Sequence, residues 1–208
     1  MNHLEIEVKF FIPDGKILKD KIKSLGCTLH HSRVFEYNAR YDTEDGSLLK
    51  NKCLLRLRKD SEITLTHKSP PNEEDTNFKI YREREVRVSD FDSMETILTA
   101  IGYYRFQVYE KWRETWKTGD LILCMDTMPF GLFLEIEGAP DSIRQMIDDL
   151  GLQWENRILS SYMEIFNVLK KGEELGFNDV TFDNFSNVHI PFERYLHRFE
   201  AGRIPHKQ

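Results

Sequence analysis

Three short segments repeat one acidic pattern: Glu5 and Glu7 in "LEIEVKF", Glu83 and Glu85 in "REREVR", Glu135 and Glu137 in "FLEIEG". In the first two a base follows at the same offset, Lys9 and Arg87. Successive side chains of a strand point to opposite faces, so each segment gathers its charges on one face. Leu4, Ile6, Val8 and Phe10 line the other face of the first. Turned to water, such a face belongs to an ordinary half-buried strand. Enclosed, it places carboxylates where charge is costly unless cations sit among them.

Further alternating runs extend both sets. "CLLRLRK" puts Arg56 and Arg58 on one face, and "EITLTHK" puts Thr64, Thr66 and Lys68 opposite Ile63 and Leu65. "VYEKWRETWK" sets Lys111, Arg113 and Lys117 opposite Trp112 and Trp116, while "LILCMDTM" sets Asp126 opposite Leu121, Leu123 and Met125. Lys79 joins the basic set. Two carboxylates about 5 Å apart repel by roughly 3 kcal/mol at an effective dielectric near 20, so several such pairs demand cations. Oxygen donors without a Cys or His cluster select hard divalent ions, Mg²⁺ or Mn²⁺, over zinc or copper. The planar forks of the arginines suit phosphate oxygens. Metals on one side and bases on the other describe a polyphosphate site.

The elements that must hold these residues are strands interrupted by short helices. "PDGKILKDKIKSLG" has Pro13 and Asp14 as start signals, an apolar stripe of Ile17, Leu18, Ile22 and Leu25, and Gly26 as a stop. The same arrangement recurs with Asp90 or Asp92, the stripe Met94, Ile97, Leu98 and Ile101, and Gly102. It recurs again between Pro140, Asp141 and Gly151. A last helix in "ILSSYMEIFNVLKKGEELG" is expected to end near Gly172 or Gly176, and residues 69–77 read as a polar loop. The fold class expected is α+β. An open sheet would show its charged face to water, whereas a closed antiparallel barrel would enclose it and remove exposed edges.

The chain of 208 residues carries a net charge of −6, which argues against a nucleic-acid or membrane-surface binder. An anionic partner must then be captured by a local pocket. Cys27, Cys53 and Cys124 are odd in number and lack C-x-x-C spacing, so neither a disulfide framework nor a thiolate zinc site is expected. A reducing cytoplasm fits, and no signal peptide or membrane-spanning segment is read.

Bland readings stand beside these. A one-residue register slip would turn Arg82 and Arg84 inward in place of Glu83 and Glu85. Asp126 reads also as a turn residue before "TMPFG", Trp112 and Trp116 as core, and Tyr162 as a packed helix residue rather than a catalyst. His3, His30, His31 and His67 show no metal-ligand spacing.

In order along the chain, "EIEVKF", "YDTEDGSLLKNKCLLRLR", "LTHKSP", "REREV", "EKWRE", "MDTMPFGLFLEIEG" and "RILSSYMEIF" resemble the CYTH domains, or triphosphate tunnel metalloenzymes, over roughly residues 3 to 170. The resemblance implies a closed eight-stranded antiparallel β-barrel, a tunnel with a charged lumen and helices packed outside, over residues 1–171. Residues 172–208 are then an appendage, docked or partly disordered, with one tunnel mouth as its guessed resting place. It also implies that Glu5, Glu7, Glu83, Glu85, Asp126, Glu135 and Glu137 hold divalent metal, and that Lys9, Arg56, Arg58, Lys68, Lys111 and Arg113 grip a triphosphate. Two ions, Mg²⁺ or Mn²⁺, are expected, with Glu83, Glu85 or Asp126 serving the one that activates the attacking water. The expected activity is metal-dependent hydrolysis of inorganic triphosphate or a nucleoside or thiamine triphosphate. An adenylyl cyclase of the class IV type and a non-catalytic polyphosphate-binding module are the alternatives. The expected partner is a small polyanionic substrate, with neither nucleic acid nor membrane, and a homodimer is one oligomeric outcome.

Overall fold

The computed structural model describes residues 4–71 and 75–203. Residues 72–74 of the expected loop, His3, and the outer ends of both expected segments therefore lie outside the described residues. Eight strands are present: β1 (Leu4–Phe11), β2 (Thr28–Asp42), β3 (Leu54–Lys59), β4 (Ile63–Ser69), β5 (Lys79–Arg87), β6 (Tyr104–Thr118), β7 (Leu121–Met128) and β8 (Gly131–Glu137). Among the described residues five α-helices accompany them: α1 (Gly15–Ser24), α2 (Ser47–Lys50), α3 (Phe91–Ala100), α4 (Pro140–Asp149) and α5 (Tyr162–Gly172). The class is α+β, as the sequence predicts. No helix among the described residues is long and apolar enough to cross a membrane.

Each strand is antiparallel to both of its neighbours, in the order β1-β5-β4-β3-β2-β6-β7-β8, and β8 returns to β1 so that the ring closes. Closure leaves few unpaired edges, which removes the pairing liability of an open sheet. β2 and β6 are the longest strands at 15 residues each. The sequence reading identifies no strand over residues 28–42. Register shifts between Leu29 and His31 and between His31 and Val34 break the alternation that marks a strand in sequence.

Local chemistry starts and stops the helices. Asp14 accepts from the Lys16 and Ile17 amides at 2.9 and 3.1 Å, Asp90 caps α3 through Ser93 at 2.8 Å, and Ser161 and Glu164 form a capping box at α5. Gly26 ends α1 with φ +78°, a conformation open to glycine but strained for other residues. The apolar stripes are narrower than the sequence suggests. α1 buries Leu18 and Ile22 but leaves Ile17 exposed, and α3 buries Phe91 and Leu98 but leaves Ile97 and Ile101 exposed. A short helix lying on a convex ring touches it along one narrow strip.

The apolar strand faces meet these helices. Val8, Phe10, Leu123, Leu134 and Ile136 pack with Leu18 and Ile22 of α1 and Ile143, Met146 and Ile147 of α4. Ala39, Tyr41 and Leu57 pack with Phe91 and Leu98 of α3. A third cluster joins Tyr109, Met128 and Phe133 of the strands to Tyr162, Ile165, Phe166 and Leu169 of α5 and to Val180, Phe185, Ile190, Phe192 and Phe199 beyond it. The backbone takes part as well. Val180 bonds both ways with β6, through Glu110 N and Val108 O, and the Ile158 and Lys9 backbones exchange bonds of 2.7 and 3.2 Å.

Val180, Phe185, Ile190, Phe192 and Phe199, beyond α5, therefore pack in one cluster with the strands. Replacing Phe192, which is 2% exposed, with Ala should cost about 3–5 kcal/mol in urea unfolding. A cost under about 1 kcal/mol would mean that this segment merely rests on the ring.

Candidate functional site

The strand faces opposite the helices carry the charges, and these side chains meet one another. At the centre is Asp126 of β7, with no exposed surface. Lys111 Nζ donates to it at 2.8 Å and Arg113 grips both of its oxygens, Nε at 2.6 Å. Arg113 also donates to Glu135 of β8, whose other oxygen lies 3.0 Å from Lys9 Nζ of β1. Glu36 of β2 adds a second carboxylate 3.5 Å from Lys111. The turn reading of Asp126 is thus replaced by a buried strand position.

Two further groups flank this centre. Arg56 of β3 donates to the Tyr109 hydroxyl at 3.1 Å and to Thr66 at 3.3 Å, and lies 3.7 Å from Glu85. Arg58 lies 3.5 Å from the same Glu85. Lys68 of β4 bridges Glu5 and Glu83, the latter at 2.9 Å, and Lys79 donates to Glu7 at 2.6 Å. These contacts settle the register of "REREVR" with Glu83 and Glu85, rather than Arg82 and Arg84, on the charged face. All thirteen predicted side chains share that face, though Glu85 is about one-third exposed while Lys9 and Lys111 are sealed. Arg87, aligned with Lys9 in the sequence pattern, lies apart: it pairs with Glu62 and is largely exposed.

Burial raises the energy of every ionised group here, and the neighbours decide the outcome. Burial pushes the Glu36 carboxyl up, yet Lys111, Arg113, Arg58 and Arg56 outweigh it and hold it down at about 2. Glu135 stays well below the usual range because Lys9, Arg113 and Lys111 overcome its burial. Glu137 goes the other way: burial, then Glu5 and Glu7, push it up to about 7, with only Lys68 opposing. Among the described residues Glu137 makes no ion pair, and its cross-strand neighbours include Glu7.

The donor set around Glu5, Glu7, Glu83 and Glu137 is all oxygen and fits a hard divalent cation, whose charge would oppose the burial and the Glu5 and Glu7 repulsion that push Glu137 up. Among the described residues, no three His, Cys, Asp or Glu side chains converge closely enough to hold an ion as they stand. The reason is visible: six of the seven predicted acids are turned onto lysines or arginines. Ion binding requires Glu5 or Glu7 to leave Lys68 or Lys79.

Several residues of the face were not singled out from sequence as site residues. Glu36, Asn38 and Arg40 come from β2, where "FEYNARYD" does alternate charge or amide with Tyr37, Ala39 and Tyr41. Tyr109 is likewise part of it, and Lys79, already in the basic set read from sequence, lies there too. Tyr162 was read as packed; it is buried, and its hydroxyl also donates to Asp126 at 2.9 Å, with Lys9 Nζ 4.4 Å above its ring. The Ser161 cap starts α5 at this point and so aims the ring.

A family model described as CYTH domain matches residues 3–162. A putative adenylate cyclase of Methanocaldococcus jannaschii is 26% identical over 174 residues, 78% of this chain and 98% of that one. Among solved structures, a putative adenylate cyclase from Vibrio parahaemolyticus superposes with a TM-score of 0.72 at 19% identity, over 80% of this chain and 99% of that one. A putative adenylyl cyclase from Hippeastrum, described as having a dominant triphosphatase activity, gives 0.58 at 18% identity over 79% and 95% of the two chains.

The raised Glu137 sets a direction for pH. A carboxyl whose folded value lies near 7 against an ordinary 4.5 keeps its proton better when folded, so stability falls as pH rises between those values. Glu137→Gln lacks that loss. In metal-free buffer the variant should be more stable than the parent by about 1–3 kcal/mol at pH 8 and equal to it near pH 4.5. Equal stability at pH 8 would show Glu137 free of the repulsion described.

Proposed function

Because the chain belongs to the CYTH domain family, we propose that it is a divalent-metal-dependent hydrolase of triphosphate substrates, working inside a tunnel formed by the strand ring. The observation that carries this reading is the burial of Lys9, Lys111 and Arg56 at 1%, 2% and 8% exposure on one shared face. Carboxylates already hold these sealed cations, and a compact anion of higher charge is the ligand such a cluster would bind most strongly. A triphosphate offers oxygens at the spacing of a row of bases, and Arg113 and Arg58 have forked geometry for it.

In this reading Lys9, Lys111 and Arg113 at the sealed centre, with Arg56, Arg58 and Lys68 flanking, bind and neutralise the phosphates. Glu5, Glu7, Glu83 and Glu137, together with Glu85, Asp126 and Glu135, form the acidic side that would hold Mg²⁺ or Mn²⁺. A bound divalent ion supplies charge neutralisation on phosphate oxygens and acidifies water. The chain's own part is orientation. Asp126 fixes Lys111 and Arg113, Tyr162 fixes Asp126, and Glu135 fixes Lys9, so the bases meet the substrate without reorganising. Outside that fixed centre, triphosphate arrival would displace Glu5 and Glu7 from Lys68 and Lys79, which frees those acids for the cation.

Adenylyl cyclisation is the second reading, favoured by the Methanocaldococcus and Vibrio relatives' description as putative adenylate cyclases. The Hippeastrum neighbour, also described as a putative cyclase, carries a dominant triphosphatase activity, and that supports placing hydrolysis first.

Phosphate release should be measured over inorganic triphosphate, ATP, thiamine triphosphate and long polyphosphate with Mg²⁺ and Mn²⁺, resolving ADP and phosphate from cyclic AMP and pyrophosphate. Metal-dependent phosphate release is expected, reduced at least ~100-fold in Glu7→Ala and in Glu137→Ala with the fold retained. Cyclic AMP as the main product would transfer the assignment to the cyclase, and unchanged turnover in both variants would sink the metal role.

A further inference from the structure

Two neighbouring rows of side chains cross β4, β3, β2 and β6 on the charged face, and they differ. One row is Thr66, Arg56, Arg40 and Gln107. Its members bond each other and their neighbours: Thr66 donates to Glu85 at 2.7 Å and accepts from Arg56, and Arg40 donates to Gln107 at 2.6 Å. Only the Nε of each arginine is left over. The next row is Thr64, Arg58, Asn38 and Tyr109. Here the Thr64 hydroxyl and both amide atoms of Asn38 have no hydrogen-bond partner, while Arg58 Nε faces Asp60 at 3.1 Å. Asn38 is 0% exposed and Thr64 3%.

The concentration is local. Of the eight buried side-chain polar atoms without a hydrogen bond among the described residues, seven lie on β2, β3 and β4, and the remaining one is on Glu200. A buried amide with neither its donor nor its acceptor used carries the full desolvation cost of both, which marks a place built for something that bonds there.

The atom types say what kind of group fits. The Asn38 NH₂ donates, and phosphate oxygens satisfy it. The Asn38 carbonyl only accepts, and so does the Glu36 oxygen, two residues away on the same strand face, 3.5 Å from Lys111 and held ionised. Inorganic triphosphate at neutral pH is almost entirely acceptors, and leaves these oxygens facing like charge. A phosphate flanked by hydroxyl groups supplies acceptors and donors together. Beyond the row, at the β3–β4 connection, Arg58 holds Asp60 at 3.1 Å beside a surface hollow of about 440 Å³. Lys59, Asp60, Glu62, Ile63, Arg87 and Val88 line that hollow, and its volume is in the range of small-molecule sites.

We propose that Asn38, with Thr64 and Glu36, is a subsite for the hydroxyl-bearing sugar of a nucleoside triphosphate, so that the site reads an organic triphosphate rather than inorganic triphosphate. This deepens the proposed function and rests on it. The phosphates lie against the lysines and arginines of the sealed centre, the sugar hydroxyls donate to Asn38 and Glu36, and the base extends toward the hollow.

The test compares ATP, 2′,3′-dideoxy-ATP and inorganic triphosphate on the parent and on Asn38→Leu and Thr64→Val, which keep size and remove polar atoms. Binding is read by calorimetry and turnover by phosphate release, with thermal melting as a check on folding. The parent should discriminate ATP from its dideoxy analogue by about tenfold or more, because losing the hydroxyls leaves buried acceptors unpaired. In Asn38→Leu that ratio should fall to near one, and in Thr64→Val it should fall by a smaller factor. A parent that binds all three ligands without distinguishing ATP from dideoxy-ATP overturns the subsite and leaves the triphosphate reading standing. A ratio unchanged in a folded Asn38→Leu also overturns it, with the amide then holding only a buried water. A parent that binds no triphosphate of any kind overturns the function itself.

Discussion

The rest of the molecule is arranged around one constraint: a carboxylate with no exposed surface, Asp126, must be compensated completely. Stripping a charge of water costs several kcal/mol, and the return comes only when strong, well-directed bonds replace it. Lys111, the Arg113 fork and the Tyr162 hydroxyl provide those bonds. The three donors come from β6 and from α5, so compensation fixes the register of β6 against β7 and the seat of α5 together. Arg113 is paired directly opposite Asp126 across that strand pair. A one-residue slip would carry Arg113 to the apolar face and leave Asp126 with neither donor.

From that node the pattern spreads by the two-residue period of the strands. Each step of two along β1 moves from Glu5 to Glu7 to Lys9, and each meets an opposite charge on another strand. The odd partner is Glu137, which the ring places among acids with no base of its own. The other six predicted acids are paired with lysines or arginines. Burial and the neighbouring Glu5 and Glu7 push Glu137 upward, and it marks the corner where the protein's own bases run short.

The period of two also explains what could be read from sequence. Glu5, Glu7, Lys9, Arg56, Arg58, Lys68, Lys111, Arg113, Asp126, Glu135 and Glu137 stand in clean alternation and are found on one face. Glu83 and Glu85 were ambiguous because "REREVR" has charge at successive positions, and only the pairing with Lys68 and Arg56 decides which face they take. β2 was missed because its first half, "TLHHSRV", is interrupted by two register shifts and stays exposed. With it went Glu36 and Asn38. Tyr162 could not be assigned from its helical stripe, since the bond that matters runs to a residue 36 positions earlier. Sequence periodicity reports the face of a residue, and it does not report which distant element closes over that face.

The ion pairs also bear on how such a site can be stable before it meets substrate. Without ligand, a face carrying this many lysines and arginines would repel itself apart, and the carboxylates hold the bases in place at a cost in desolvation. Each pair also occupies both the group a polyanion needs and the group a divalent cation needs. Under the proposed function, breaking Lys68 from Glu5, or Lys79 from Glu7, exposes one ligand-binding group of each sign at once. Anion and cation binding are then coupled by the pairs they share, since each ligand leaves unpaired the group that the other satisfies. The same logic separates the face into two kinds of ground. Where acids and bases pair, the molecule stabilises itself and ligands must compete. Along Thr64 and Asn38, where polar atoms remain unbonded, no ion pair has to be displaced, and the shape and hydrogen-bonding character of the incoming group decide what is accepted.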